Sequence, residues 1–166
     1  AKLDNITPEE AWEGTVISTS NILQALSSAK KNKQTNLKRF LYASSSMVYG
    51  DFETAEAAED HPTNPKEIYG TMKLAGENVT RGLSSLYGID SAIIRPSAVY
   101  GPTDMNRRVS QIYIEKAIKG EKLTVYGEDE KLDFTFVKDL AQGFVLAALN
   151  DNAIGQTFNM TCGNAK

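Results

Sequence analysis

The chain has 166 residues, 41% of them hydrophobic and 23% charged, with 18 Lys and Arg against 21 Asp and Glu for a net charge of −3. These proportions suit one globular domain, or a large piece of one, with enough apolar residues for a sizeable core. They exclude a membrane-spanning helix, since every apolar run is far shorter than the ~20 residues one needs, and they argue against nucleic acid as a partner, which calls for clustered, uncompensated cations.

In chain order, Thr7-Pro8-Glu9-Glu10 reads as a helix start, with Thr7 as N-cap, Pro8 at the first helical position and Glu10 closing a capping box. Trp12, Val16, Leu23 and Leu26 then recur at near-helical spacing as far as Lys30, Lys31 and Lys33, the solvated end of that helix. Phe40-Leu41-Tyr42-Ala43 is a short apolar run that predicts a buried parallel strand. Residues 44–65, small, acidic and Pro-containing, predict a loop. Ile68, Met72, Ala75, Val79, Leu83 and Leu86 step by three or four, predicting a second helix from near Ile68 that stops at Gly88. Ala92-Ile93-Ile94 predicts a second buried strand, 96–108 a loop, 109–119 a third helix stopped at Gly120, and 123–126 a further strand. A strand at 134–137 leads into a fourth helix with Leu140, Phe144 and Ala147 on one face, and 157–159 reads as a last strand. Strands alternating with helices predict an α/β fold, a mainly parallel sheet with flanking helices.

Such a sheet commonly holds a dinucleotide through a Gly-rich turn after its first strand. None of the twelve glycines forms one, and the chain opens on a helix without an initiator methionine. The chain is therefore expected to be an excerpt from a longer protein, and by itself not to bind a dinucleotide tightly, because it lacks the amides that grip the pyrophosphate.

Tyr69 and Lys73 stand four apart near a helix start and so share one face. A cation beside a phenol favours the phenolate, lowering its pKa from about 10 and fitting it to act as a general base. Taken alone, such a pair is more often ordinary packing. Ser44-Ser45-Ser46 follows the buried strand directly, placing hydroxyls at a parallel strand's carboxyl end, where open α/β sheets bind ligands. A serine-rich turn satisfying its own backbone is the other reading of that run.

Four segments together are more specific: Phe40-Leu41-Tyr42-Ala43-Ser44-Ser45-Ser46-Met47-Val48-Tyr49-Gly50, Tyr69-Gly70-Thr71-Met72-Lys73, Arg95-Pro96-Ser97-Ala98-Val99-Tyr100-Gly101-Pro102, and Asp133-Phe134-Thr135-Phe136-Val137-Lys138-Asp139-Leu140-Ala141. In this order and spacing the sequence resembles the extended short-chain dehydrogenases/reductases, and within them the NAD-dependent nucleotide-sugar epimerases and dehydratases. The resemblance implies a Rossmann-like sheet, partial here, plus part of a small substrate-binding subdomain. Residues 1–105 would form the C-terminal part of the NAD-binding domain, with the catalytic Ser, Tyr and Lys. Residues 106–166 would be mostly substrate-binding elements, with 134–150 a candidate to return to the Rossmann domain. The family's Gly-rich turn would precede the helix that opens this chain.

Residue by residue, the resemblance makes Tyr69 the catalytic base and Lys73 the ligand of the nicotinamide ribose, while Ser45 hydrogen-bonds the reacting sugar oxygen. Ala43, Tyr69, Lys73 and Pro96 would contact the cofactor, NAD, with NADP left open. Ser46, Met47, Ala98, Arg108, Val109 and Tyr126 would face a nucleotide-sugar substrate. No metal is implied. The 4,6-dehydratases carry an acidic pair directly after the active-site hydroxyl, because eliminating water needs a further acid and base. Ser46 and Met47 stand there instead, which disfavours dehydration. Ala98 replaces an asparagine and Leu132 an arginine that contact substrate phosphate in many members, and neither side chain hydrogen-bonds a phosphate. Arg107, Arg108 or Lys131 are candidate substitutes, and Thr15 falls near a common active-site asparagine.

The remaining candidates carry plainer readings. His61, the lone imidazole, orders a loop beside Pro62, and Cys162 is an inert thiol, so the chain offers neither an internal disulfide nor a familiar zinc site. A reducing cytoplasm is the expected compartment. The expected activity is NAD-dependent epimerisation of a nucleotide sugar through a keto intermediate. A reductase or dehydrogenase of a related carbonyl compound is the alternative, followed by a non-catalytic dinucleotide-binding scaffold. The resemblance also implies a homodimer paired through two helices like the first two here, with no nucleic acid and no membrane as partner.

Overall fold

The computed structural model describes residues 6–54, 56–104, 108–125 and 131–165. Helix α1 (Pro8–Trp12) starts on the capping box that the sequence announces: the Thr7 hydroxyl accepts from the Glu10 amide and the Glu10 carboxylate from the Thr7 amide. A π-helical turn at Glu13–Ile17 joins α1 to α2 (Ser18–Lys31). That turn carries extra residues per revolution and so rotates α1 about the helix axis relative to α2. The buried stripe is consequently Val16, Thr19, Leu23 and Ser27, and Trp12, expected on the stripe, is 45% exposed. Lys30, read as a solvated helix end, donates to the carbonyl of Gly88.

Strand β1 (Phe40–Ala43) pairs in parallel with β2 (Ser91–Pro96), and β2 with β5 (Thr157–Met160), giving the order β1-β2-β5. A second, two-stranded parallel sheet joins β3 (Ala98–Tyr100) to β4 (Phe134–Phe136). Two expectations are corrected here. The loop predicted over 96–108 contains β3, because Val99 and Tyr100 find a partner strand that lies more than thirty residues away in the chain. The strand predicted over 123–126 is absent at 123–125, and Tyr126 lies outside the described residues.

Alternation along the strands divides the sheet into two faces. Helix α5 (Val137–Leu149) covers one, where Ile94, Ala147 and Ala153 are buried with Leu41, Leu140, Phe144, Phe158 and Met160 packed around them. Tyr42, Ile93 and Arg95 belong to the other, under α3 (Ile68–Tyr87). Helix α4 (Val109–Ile118) follows the smaller sheet's first strand. Gly88, in the left-handed conformation at φ 61°, ends α3 as the sequence predicts. The residues of α3 that are buried, however, are Gly70, Gly76, Glu77, Thr80 and Ser84, whereas Ile68 and Leu86 of the predicted apolar stripe are exposed. Close approach to the sheet selects small residues and one paired carboxylate on that line of the helix; the larger side chains flank it.

Among the described residues no helix is long and apolar enough to cross a membrane.

Candidate active site

The site is built where β1 and β2 end. Ala43 closes β1, and Ser44 continues the ladder by donating its amide to the Ile94 carbonyl at 2.7 Å. Ser45 comes next with an extended backbone and caps a short 3-10 turn at Ser46–Val48, its hydroxyl accepting from the Met47 amide at 3.2 Å. The serine run therefore stands at a strand end and also forms the turn of the plainer reading, and the turn is what orders Ser45.

Tyr69 and Lys73, one turn apart on α3, are each half-buried. The Lys73 ammonium donates to the Ala43 carbonyl at 2.8 Å and lies 5.6 Å from the centroid of the Tyr69 ring and 5.6 Å from that of Tyr42. Burial disfavours its charged form and lowers its pKa below the ordinary 10.5. Tyr42, buried, goes the other way: burial first, then the charges of Glu77 and Tyr69, push its phenol above the usual range, so it stays protonated.

Gly70 sets how closely α3 approaches the Ser45 turn. A Cβ there would lie 2.4 Å from the Met47 carbonyl oxygen and 3.0 Å from the Pro65 side chain. Because the nearest obstacle is backbone, Gly70→Ala forces the helix start and the turn apart. Thermal unfolding should show a loss of about 1–3 kcal/mol, with turnover lowered as well; a variant as stable and active as the parent would disprove this close docking.

The other expected contacts are spread over two cavities. Ser46 and Met47 line one of about 520 Å³, shared with Tyr49, Ala57, Lys131 and Asn159. Arg108 lines a second, of about 380 Å³, with Val99, Tyr100 and Val137. Ala98 begins β3 and gives its amide to the Asp133 carbonyl, Arg108 donates to the Val99 carbonyl at 3.0 Å, and Val109 is the exposed first residue of α4. Pro96 ends β2, half-buried, beside Met160. Of the candidate phosphate ligands, Lys131 is exposed at the larger cavity, while Arg107, like Tyr126, lies outside the described residues. Thr15 sits in the π-helical turn, its carbonyl accepting from the Thr19 hydroxyl at 2.6 Å. His61 packs edge-on against Tyr49 at 5.6 Å and accepts from the Glu53 amide, holding the loop after the turn.

Sequence reasoning passed over the most buried polar group nearby. Glu77, wholly inaccessible, receives both arms of the Arg95 guanidinium at 2.8 Å, Arg81 at 3.0 Å and the Ser44 hydroxyl at 2.5 Å. Burial pushes its carboxyl up, but the hydrogen bonds from Arg95 and Ser44 and the charges of Arg95 and Arg81 outweigh it and hold the pKa below the ordinary 4.5. The signal was present: Arg95 interrupts an apolar strand, and an arginine there needs a buried acceptor.

Lys73 carries three N–H donors, of which Ala43 takes one, and open parallel sheets receive ligands at this edge.

The chain is similar to known proteins in sequence and in fold. The chain is 29% identical over 150 residues to a UDP-glucose 4-epimerase of Mycolicibacterium smegmatis, covering 87% of this chain and 48% of that protein. It is likewise 29% identical over 150 residues to a dTDP-glucose 4,6-dehydratase of Xanthomonas campestris, covering 87% of this chain and 42% of that one. The structure of UDP-glucuronic acid 4-epimerase from Bacillus cereus, in complex with UDP-glucuronic acid and NAD, superposes with a TM-score of 0.81 at 26% identity, over 93% of this chain and 48% of that one. The chain thus spans less than half the length of these relatives. With a Rossmann-like parallel sheet and residues 2–161 matching the model of that family, the chain belongs to the NAD dependent epimerase/dehydratase family.

Proposed function

We propose that the protein is an NAD-dependent epimerase of a nucleotide-activated sugar. The observation that carries this reading is the pair after Ser45. Ser46 and Met47 line the larger cavity, and neither can transfer the proton that eliminating water requires. Oxidising and re-reducing one sugar hydroxyl needs only a group that takes the proton and gives it back, and Tyr69 beside Lys73 suits that task. When bound, NAD supplies the hydride acceptor and donor. Lys73, with Ala43 and Pro96 nearby, holds its nicotinamide end. Ser45 hydrogen-bonds the reacting sugar oxygen from a hydroxyl that the turn has already oriented.

The substrate's nucleotide end is given to Arg108 and Val109 at the start of α4, with Ala98 and Tyr126 as further contacts and Lys131 as a candidate phosphate ligand at the larger cavity. The epimerase and the sugar-nucleotide complex among the relatives support this substrate class. The exposed apolar residues Trp12, Ile17 and Ile22 of the first helices support a homodimer through that side.

Incubating the whole protein with UDP-, dTDP- and GDP-sugars, with NMR of the sugar and nicotinamide absorbance followed together, tests the reading. Epimers should interconvert with no net absorbance change. Stoichiometric cofactor consumption would make the protein a reductase or dehydrogenase, and a 4-keto-6-deoxy product a dehydratase.

A further inference from the structure

Glu77 is two turns along α3 from Tyr69 and touches no candidate substrate or cofactor position, yet its carboxylate lies at the centre of a continuous buried network. On one side it accepts from the Ser44 hydroxyl at 2.5 Å, and Ser44 is the residue before Ser45. On the other it holds Arg95 through both carboxylate oxygens. Arg95 passes the contact outward, donating to the Tyr49 hydroxyl at 2.7 Å and to the Glu59 carbonyl at 3.0 Å, with its guanidinium carbon 4.8 Å from the Tyr49 ring centroid. The Tyr49 hydroxyl donates to the Asn159 side chain at 2.7 Å, and Asn159 donates in turn to the Ala57 carbonyl at 2.8 Å. Glu77 therefore joins four parts of the fold: the helix of Tyr69 and Lys73, the strand end of Ser45, the end of β2, and the segment carrying Ala57. Tyr49, Ala57 and Asn159 also line the 520 Å³ cavity that Ser46 and Met47 enter.

A buried ion pair is a poor device for stability alone, since desolvation offsets most of its attraction, whereas it fixes geometry in several directions at once. Here those directions run to two places: Ser44, the residue before Ser45 at the end of β1, and the wall of the 520 Å³ cavity.

Resting on the proposed function, we propose that Glu77 is a positioning residue. Through Ser44 it sets the register of Ser45 against Tyr69, and through Arg95 and Tyr49 it holds the wall of the sugar cavity. The two arms separate by where they act. Cutting the inner arm misplaces a reacting group and lowers kcat; cutting the outer arm loosens the wall and raises KM.

The experiment uses the whole protein and two variants that leave the Glu77–Arg95 pair intact. Ser44→Ala removes one buried hydroxyl, and kcat should fall about tenfold or more with KM unchanged, since small displacements of reacting groups carry costs of that size. Tyr49→Phe keeps the ring over Arg95 but removes the hydroxyl between Arg95 and Asn159, and KM should rise several-fold with kcat little changed. Equal effects of both variants on both constants, or no effect of either, would overturn the proposal. Crystal structures of the parent and of Ser44→Ala give a readout that does not depend on turnover. A lengthened Ser45-to-Tyr69 hydroxyl distance supports positioning, and an unchanged distance overturns it. Should the parent act on no nucleotide sugar, the functional reading fails while this distance still decides the role of Glu77.

Discussion

Replacing Tyr69 with Phe should lower kcat in the whole protein by about 10²- to 10⁴-fold, the range a positioned general acid or base contributes, with cofactor affinity unchanged. The substitution removes only the phenolic oxygen. The ring that lies 5.6 Å from the Lys73 ammonium remains, as does the Lys73 hydrogen bond to Ala43 that fixes the lysine from the other side. An effect on folding is therefore small and an effect on proton transfer large, so kinetics and NAD titration on one preparation separate them. The pH profile adds a second test. In the proposed role Lys73 acts as a cation, and burial lowers its pKa below 10.5. Activity should accordingly fall on the alkaline side at a pH below 10.5. Turnover by Tyr69→Phe at the parental rate would remove the phenol from the chemistry.

Arg95→Met should be the most destabilising single change at the site, by about 3–5 kcal/mol, because it leaves Glu77 as a buried carboxylate stripped of its bidentate partner. The pH dependence gives the sign. In the parent, hydrogen bonds and cations hold the folded Glu77 pKa below the ordinary 4.5, so between those two values the unfolded chain binds the extra proton and stability rises with pH. The contribution is fully present above about 4.5 and is lost as pH falls through the depressed folded value. Without Arg95, burial is opposed by Ser44 and Arg81 alone, and the carboxyl of the variant shifts toward protonation in the folded state. The stability gap between parent and variant should be widest near neutral pH and narrow on acidification. Urea titrations at neutral and acid pH measure it, and a gap independent of pH would mean that Glu77 does not carry the charge.

The local signals in the sequence were strong where one residue type has one use. Thr7 with Glu10 announced a capping box, Gly88 a helix stop, and the short apolar runs at 40–43 and 92–94 buried parallel strands; each is decided by neighbours a few residues away. Tyr69 and Lys73 were legible because helical spacing alone puts them on one face. The inner face of α3 was not. Periodicity selected Ile68, Met72, Val79 and Leu83, but the sheet lies close enough to that helix that Gly76, packed against Tyr42, and a paired carboxylate make the contact.

By itself, then, the sequence determined the alternating α/β order, the ends of its helices and the shared helix face of Tyr69 and Lys73, because propensity, capping and helical spacing act over a few residues. Only the tertiary structure decided the pairing of β3 with β4, the outward turn of Trp12, and the joining of Glu77 to Arg95, Tyr49 and Asn159. Those depend on which distant segments share a desolvated space, where a polar group must find a partner whatever its separation along the chain.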